Sequence, residues 1–361
     1  MSFISRVRRA DCTATVMHHL GPAMVIGIAY HGSSASPLRE EENIYGKFMD
    51  AATLERHLSF ITRRFRVISL SETVRRLRLH EPLPRRAVFL TFDDCYAGNF
   101  HHAFPLLRKF GVPATFFAPT FYIGSGLPLP LDILDAAVKH TSLLQAEIAG
   151  IEEPLLLNLS GEREKLRAAM SLHPLYKSVP LNQKESFLKD VVHRLGFSSP
   201  EAVPLAGEHV LPMTWEHVRQ MRRAGLEFGS HTHRHTILAR VAEEDAREEL
   251  TTSKSLLEEN LNEPCTLFCY PNGSYPQDGN ERTNRLVEKA GYACAVYMGG
   301  GVNMSSTDPH FIARESFGQF TGPEEIAATL AITGHRIRSI LGKDRSPYAR
   351  HLRAAKKRPP E

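Results

Sequence analysis

Short apolar runs alternate with amphipathic helical patterns along most of this chain, and no other feature narrows its possible folds as far. The runs are "AMVIGIAY" (23–30), "RVISL" (66–70), "AVFLTF" (87–92), "PATFFAP" (113–119), "LEFGS" (226–230), "TLFCY" (266–270), "ACAVY" (293–297) and "FIAR" (311–314). Between them lie helical stretches such as "FMDAATLERHLSFITRRF", "TWEHVRQMRRAG" and "AEEDAREELTTSKSLLEENL". Their length and apolar content read as buried strands. Gly111, Gly225 and Gly291 stand where helix C-caps are expected. Strand, helix and strand repeated this often imply a parallel sheet, and right-handed crossovers leave a barrel or a doubly wound sheet. A barrel further predicts that polar residues doing chemistry sit where strands end. His31 follows "GIAY", Asp93 and Asp94 follow "VFLTF", a histidine triplet follows "LEFGS", and "YPNG" follows "TLFC".

The alternation breaks between about residues 124 and 212, where helical pieces ("LDILDAAVKH", "EREKLRAAM", "NQKESFLKDVVHRLG") are joined by Pro- and Ser-rich turns with no convincing strand run. This predicts a helical insertion at the strand-end rim, placed either to shape access or as an inert excursion. From Lys343 the chain is basic, poor in apolar residues and ends in two prolines. We therefore read residues 20–342 as one domain and 343–361 as a basic tail expected to be disordered.

Two stretches carry candidate chemistry. In "GSHTHRHT" (229–236), His231, His233 and His235 recur at every second position. A strand would put all three on one face; a helical turn would stack His231 on His235 and point His233 away. Such a triplet suits a metal site, a proton relay or a polar loop. In "TFDDCY", two adjacent carboxylates repel unless a cation neutralises one, which would leave the other free as a base. One carboxylate and two imidazoles suit Zn²⁺ or a similar divalent ion, with a position left open for water and substrate.

"TFDDCY", "LLRKFGVPATFFAP", "TWEHVRQMRRAGLEFGSHTHRHTIL" and "FCYPNGSY", in this order, resemble the polysaccharide deacetylases of carbohydrate esterase family 4, or NodB homology domain. The early "YH" and the "YPNG" segment are most similar to its exopolysaccharide-type branch. The resemblance implies an α/β fold, a distorted (β/α) barrel with a helical insertion, and hydrolysis of N-acetyl groups on an N-acetylated carbohydrate. It implies a divalent metal, Zn²⁺ foremost with Co²⁺, Ni²⁺ or Mn²⁺ as alternatives, held by Asp94, His231 and His235. Asp93 becomes the general base for the attacking water, and Tyr270, Pro271 and Asn272 the oxyanion and substrate segment, with the Tyr270 backbone N–H as donor. The leaving amine needs an acid. The late "L-x-H" motif of many members is absent; His31 of the early "YH" pair takes that role, ahead of His310, His351 and mid-helix His335. Cys95 stands where the family commonly has Gly. The third motif also lacks the Arg that orients the base elsewhere, a charge that Arg314 is placed to supply.

Composition sets the remaining bounds. With 42% hydrophobic and 23% charged residues and a net charge of +4, the chain is an ordinary globular one, with no recognition motif for nucleic acid. No window is long and apolar enough to span a bilayer, no secretory signal is evident, and five cysteines follow no zinc-ribbon spacing, which together favour the cytoplasm. Three other readings stay open: an O-acetyl esterase or non-sugar amidase on the same scaffold, a non-catalytic carbohydrate-binding relative, and a purely structural metal site. Loss of Asp93 or of a candidate ligand would favour the binding relative, and all are present.

Overall fold

The computed structural model describes residues 24–149, 153–205 and 207–322, together with 325, 326 and 329. Cys12, His335, His351 and the basic tail lie outside the described residues. The strands are β1 (Met24–Tyr30), β2 (Gly32–Ser34), β3 (Phe48–Asp50), β4 (Arg66–Val67), β5 (Ala87–Phe92), β6 (Thr115–Ala118), β7 (Gln145–Ile148), β8 (Leu155–Asn158), β9 (Glu227–Ser230), β10 (Val296–Met298), β11 (Asn303–Met304) and β12 (Ile312–Ser316). The helices are α1 (Ala51–Arg64), α2 (Leu70–Arg78), α3 (Phe104–Phe110), α4 (Pro130–His140), α5 (Glu162–Ser178), α6 (Lys184–Arg194), α7 (Trp215–Arg223), α8 (Glu243–Leu261) and α9 (Glu281–Lys289).

The sheet runs β10-β12-β1-β5-β6-β9, every neighbouring pair parallel. Every residue of β1 and of β5 is buried, as expected of parallel strands covered on both faces. The run "TLFCY" is not a full strand but two isolated bridges, Ser230 with Phe268 and Cys269 with Val296. These bridges join the two ends of the sheet: Cys269 N–H donates to Ser230 O at 2.9 Å and Val296 N–H to Phe268 O at 3.0 Å. The result is a distorted barrel, with helices outside. Asp50, Ser69, Thr214 and Asn280 cap α1, α2, α7 and α9 through side-chain bonds to backbone N–H groups. Gly111, Gly225 and Gly291 end their helices at φ of 62°, 92° and 83°, left-handed values that cost other residues strain.

One glycine serves the barrel interior. A Cβ on Gly27 of β1 would lie 2.3 Å from the Phe89 ring and 2.8 Å from Arg314 Cγ, so its absence makes room for a buried arginine among apolar side chains.

The insertion corrects one expectation, since it contains the antiparallel pair β7 and β8. Gln145–Ile148 alternates exposed and buried, so one face meets the helices; a strand of four residues is too short for its period to stand out. Residues from α4, β7, β8, α5 and α6, including Leu134, Ile148, Leu157, Leu172 and Val191, form an apolar core of their own.

Candidate active site

The sheet register brings the strand-end polar residues to one rim. Asp93 N–H donates to Tyr30 O at 2.9 Å, so the β1–β5 ladder runs up to the carboxylate pair. Asp94 and Cys95 then turn through left-handed backbone, at φ of 68° and 50°. The Cys95 value accounts for glycine being the common residue there in the similar family. After β9 the chain follows neither the strand nor the helical turn that the histidine spacing allows. Thr232 and His235 take φ of 64° and 59°, and the bend is pinned from outside. His233 and Arg234 N–H groups each donate to Glu249 Oε2 of α8 at 2.8 Å, and Thr236 N–H donates to Thr232 Oγ1 at 2.9 Å.

This bend brings two of the three histidines together. His231 Nε2 and His235 Nε2 lie 3.7 and 3.1 Å from Asp94 Oδ1, and the two rings meet edge to face. His233 turns away, its Nδ1 3.0 Å from Thr120 Oγ1. His231 Nδ1 lies 2.8 Å from Cys269 O, the bond that fixes the tautomer leaving Nε2 as a lone pair. Burial pushes the His231 imidazole down to about 4 despite Asp93 nearby, so it is neutral at pH 7. Among the described residues, buried Asp94 Oδ1 faces the two imidazoles and has no other hydrogen-bond partner. Its carboxyl is nonetheless held far below the usual range, because His235 and its neighbours outweigh the cost of burial.

These donor atoms fit a divalent ion. Tetrahedral ligands at roughly 2.0–2.1 Å stand about 3.3 Å apart, close to the spacings around Asp94 Oδ1. A second group of potential ligands, Asp93, His231 and Cys269, also converges but is committed elsewhere. Arg314 Nη1 and Nη2 donate to Asp93 Oδ1 and Oδ2 at 2.7 and 2.9 Å, and Nη2 also reaches Cys269 Sγ at 2.9 Å. Burial raises the Cys269 thiol well above its ordinary value, so no thiolate is offered. Burial also opposes ionisation of Asp93, but Arg314 and His231 outweigh it and hold the carboxyl below its ordinary value.

Cys95, Cys265, Cys269 and Cys294 are buried free thiols. His31, half-buried at the end of β1, lines one cavity of about 240 Å³ with Asp94, His235 and Asn272. His310 bonds Tyr292 O and does not line that cavity. The expected role of Tyr270 is corrected. Its backbone N–H is given to Val296 O at 3.2 Å, and its hydroxyl donates to buried Asn284 at 2.8 Å. Pro271 has no N–H, and Asn272, at φ 60°, is the residue of this segment that lines the cavity.

Sequence reasoning missed a network that lines the cavity: Lys47 donates to Asp132 and, at 3.2 Å, to the Tyr96 hydroxyl, which donates to Asp132 Oδ2 at 2.8 Å. It also missed Glu249. Lys47, Asp132 and Glu249 belong to no local motif and reach the rim from the turn before β3, from α4 of the insertion and from α8, while Tyr96 closes "TFDDCY" after β5.

A family model described as polysaccharide deacetylase matches residues 80–148 and 190–295, breaking off inside the insertion. YxkH of Bacillus subtilis (strain 168), which carries a provisional polysaccharide deacetylase name, is 31% identical over 88 residues, 24% of this chain and 30% of that protein. Among solved structures, the Streptococcus pyogenes deacetylase PplD in complex with acetate superposes with a TM-score of 0.55 at 16% identity, over 86% of this chain and 99% of that one. IcaB from Ammonifex degensii gives 0.54 at 16%, over 86% and 98%. A de-N-acetylase from Aggregatibacter actinomycetemcomitans gives 0.53 at 16%, over 85% and 99%. At these identities the solved structures bear on the fold. No helix among the described residues is long and apolar enough to cross a membrane.

Proposed function

Since this chain belongs to the polysaccharide deacetylase family, we propose that it is a metal-dependent hydrolase that removes the N-acetyl group from an N-acetylated sugar of a polymer, oligosaccharide or precursor. The observation that carries this reading is the convergence of Asp94, His231 and His235, whose ligand atoms lie within 4.8 Å of one another beside an arginine-paired Asp93. The early Tyr30-His31 pair and "YPNG" support the exopolysaccharide-type branch.

Asp94, His231 and His235 would hold the ion, Zn²⁺ being the best match to two imidazoles and one carboxylate. A bound divalent ion supplies Lewis acidity toward the acetyl carbonyl and makes water a better nucleophile near neutral pH. Asp93 takes the proton of the attacking water. Arg314 occupies one site on each of its carboxylate oxygens, and each oxygen retains a further lone pair for that proton. The bidentate grip also fixes the angle at which Asp93 meets the water. Asn272 N–H, in place of Tyr270 N–H, donates to the oxyanion. His31 protonates the leaving amine from the same cavity.

Chelation followed by reconstitution tests the reading. Stripped protein is expected to keep its far-ultraviolet dichroism, release no acetate from N-acetylglucosamine oligomers, and regain release with added Zn²⁺. Unfolding on chelation would contradict it, since a metal that only ties the fold together behaves that way.

A further inference from the structure

Among the described residues, three cations that line the wall of the cavity stand in no salt bridge with a carboxylate. Lys177 near the end of α5, Lys184 at the start of α6 and Arg234 between the paired histidines all line it, together with Asp94 and His235. The carboxylates of this wall are already engaged. Asp132 receives Lys47 and Tyr96, and Asp135 lies 2.6 Å from His173 Nε2. Just beyond, Glu249 accepts the two loop N–H groups, while Asp278 accepts from Arg240 and from Ser274 N–H.

Among the described residues, Lys184 and Arg234 rest on aromatic faces instead of anions. Lys184 Nζ stands 4.8 Å over Tyr176, and the Arg234 guanidinium 4.3 Å over Phe121. Burial, with repulsion from Arg240 and Lys177, pushes half-buried Lys184 down to about 8. Lys177 is lowered by burial as well. A neutral sugar chain would leave these charges as they are, whereas an anion would neutralise them.

Resting on the deacetylase reading, we infer that the substrate is an N-acetylated sugar carrying a phosphate ester, with its acetamide toward Asp94 and its phosphate among Lys177, Lys184 and Arg234. The space beyond agrees with this placement. Tyr176, Lys184, Arg234 and Pro130 also line a second cavity of about 580 Å³, where Glu185, Glu201, Asp245 and Glu248 lie too, so the phosphate would sit at a junction whose far space suits an uncharged or cationic group on the other side of the ester.

The test compares acetate release by metal-loaded, full-length protein from N-acetylglucosamine 1-phosphate, its uncharged methyl glycoside and an N-acetylated uronic acid. The phosphate is expected to lead the methyl glycoside by about tenfold or more in kcat/KM. That lead should reside in KM, shrink as ionic strength rises, and collapse in Lys177→Gln/Lys184→Gln. Equal kcat/KM for charged and neutral sugars, or a preference for the carboxylate, overturns the inference and leaves the deacetylase reading standing. Calorimetry with Asp93→Asn separates the two claims. Salt-sensitive binding of N-acetylglucosamine 1-phosphate that the lysine substitutions abolish, with no acetate from any sugar in wild type, overturns deacetylation alone. Absence of both overturns both.

Discussion

Replacing Arg314 by methionine removes the only guanidinium bonded to Asp93 among the described residues and leaves a carboxylate that is 2% exposed without its charge partner. Breaking a buried pair from one side costs about 3–5 kcal/mol. For a domain of this size that is roughly 6–10 °C in melting temperature. The pH dependence has a definite sign. In wild type the Asp93 carboxyl is held below its ordinary value, so its contribution is present above the unfolded-state pKa and is lost as pH falls through the lower folded value. In Arg314→Met only burial remains as the main influence, the carboxyl rises, and protonation relieves the variant on acidification. The stability gap should therefore narrow from pH 7 toward pH 4. Thermal melts across that range, in chelator so that no ion adds its own pH dependence, measure it. Arg314→Met/Asp93→Asn should recover part of the loss, because the two changes are not additive. A variant melting within about 1 °C of wild type, or a gap that widens on acidification, would refute the reasoning.

Two further outcomes concern the metal loop. His231→Ala and His235→Ala should lose bound Zn²⁺ by elemental analysis while His233→Ala keeps it, because His233 faces Thr120; equal loss in all three contradicts the geometry. Glu249→Ala orphans the N–H groups of His233 and Arg234 and should weaken Zn²⁺ affinity by about 10–100-fold in competition with a chelator, as expected for a residue that supports the ligands from behind. Glu249→Gln, which keeps an acceptor, should recover most of that affinity.

The barrel was legible because its main strands are buried on both faces and read as continuous apolar runs, β1 and β5 above all. β2, β3 and β11 were beyond such a reading, having only two or three residues each, too few for a period to emerge, and of the run "RVISL" only Arg66–Val67 pairs as β4. The carboxylates and histidines were legible as residue types at strand ends, and Arg314 as a charge near Asp93. The path between the histidines was not. Their i, i+4 spacing fits a helical turn, but Thr232 and His235 adopt left-handed backbone that nothing in their side chains announces. Tyr270 was misread for a related reason: whether a backbone N–H is free depends on pairing with β10, a partner distant in the chain. Lys47, Asp132 and Glu249 come from segments whose approach to the rim is set by packing alone.

The most direct test of the central claim is acetate release from N-acetylglucosamine oligomers and O-acetylated sugars by Zn²⁺-loaded wild type and Asp93→Asn. Wild type is expected to release acetate from the N-acetylated sugars, and Asp93→Asn to retain its Zn²⁺ and lose about 10²–10⁴-fold in turnover. No acetate from any N-acetylated sugar, or an Asp93→Asn variant as active as wild type, would contradict it.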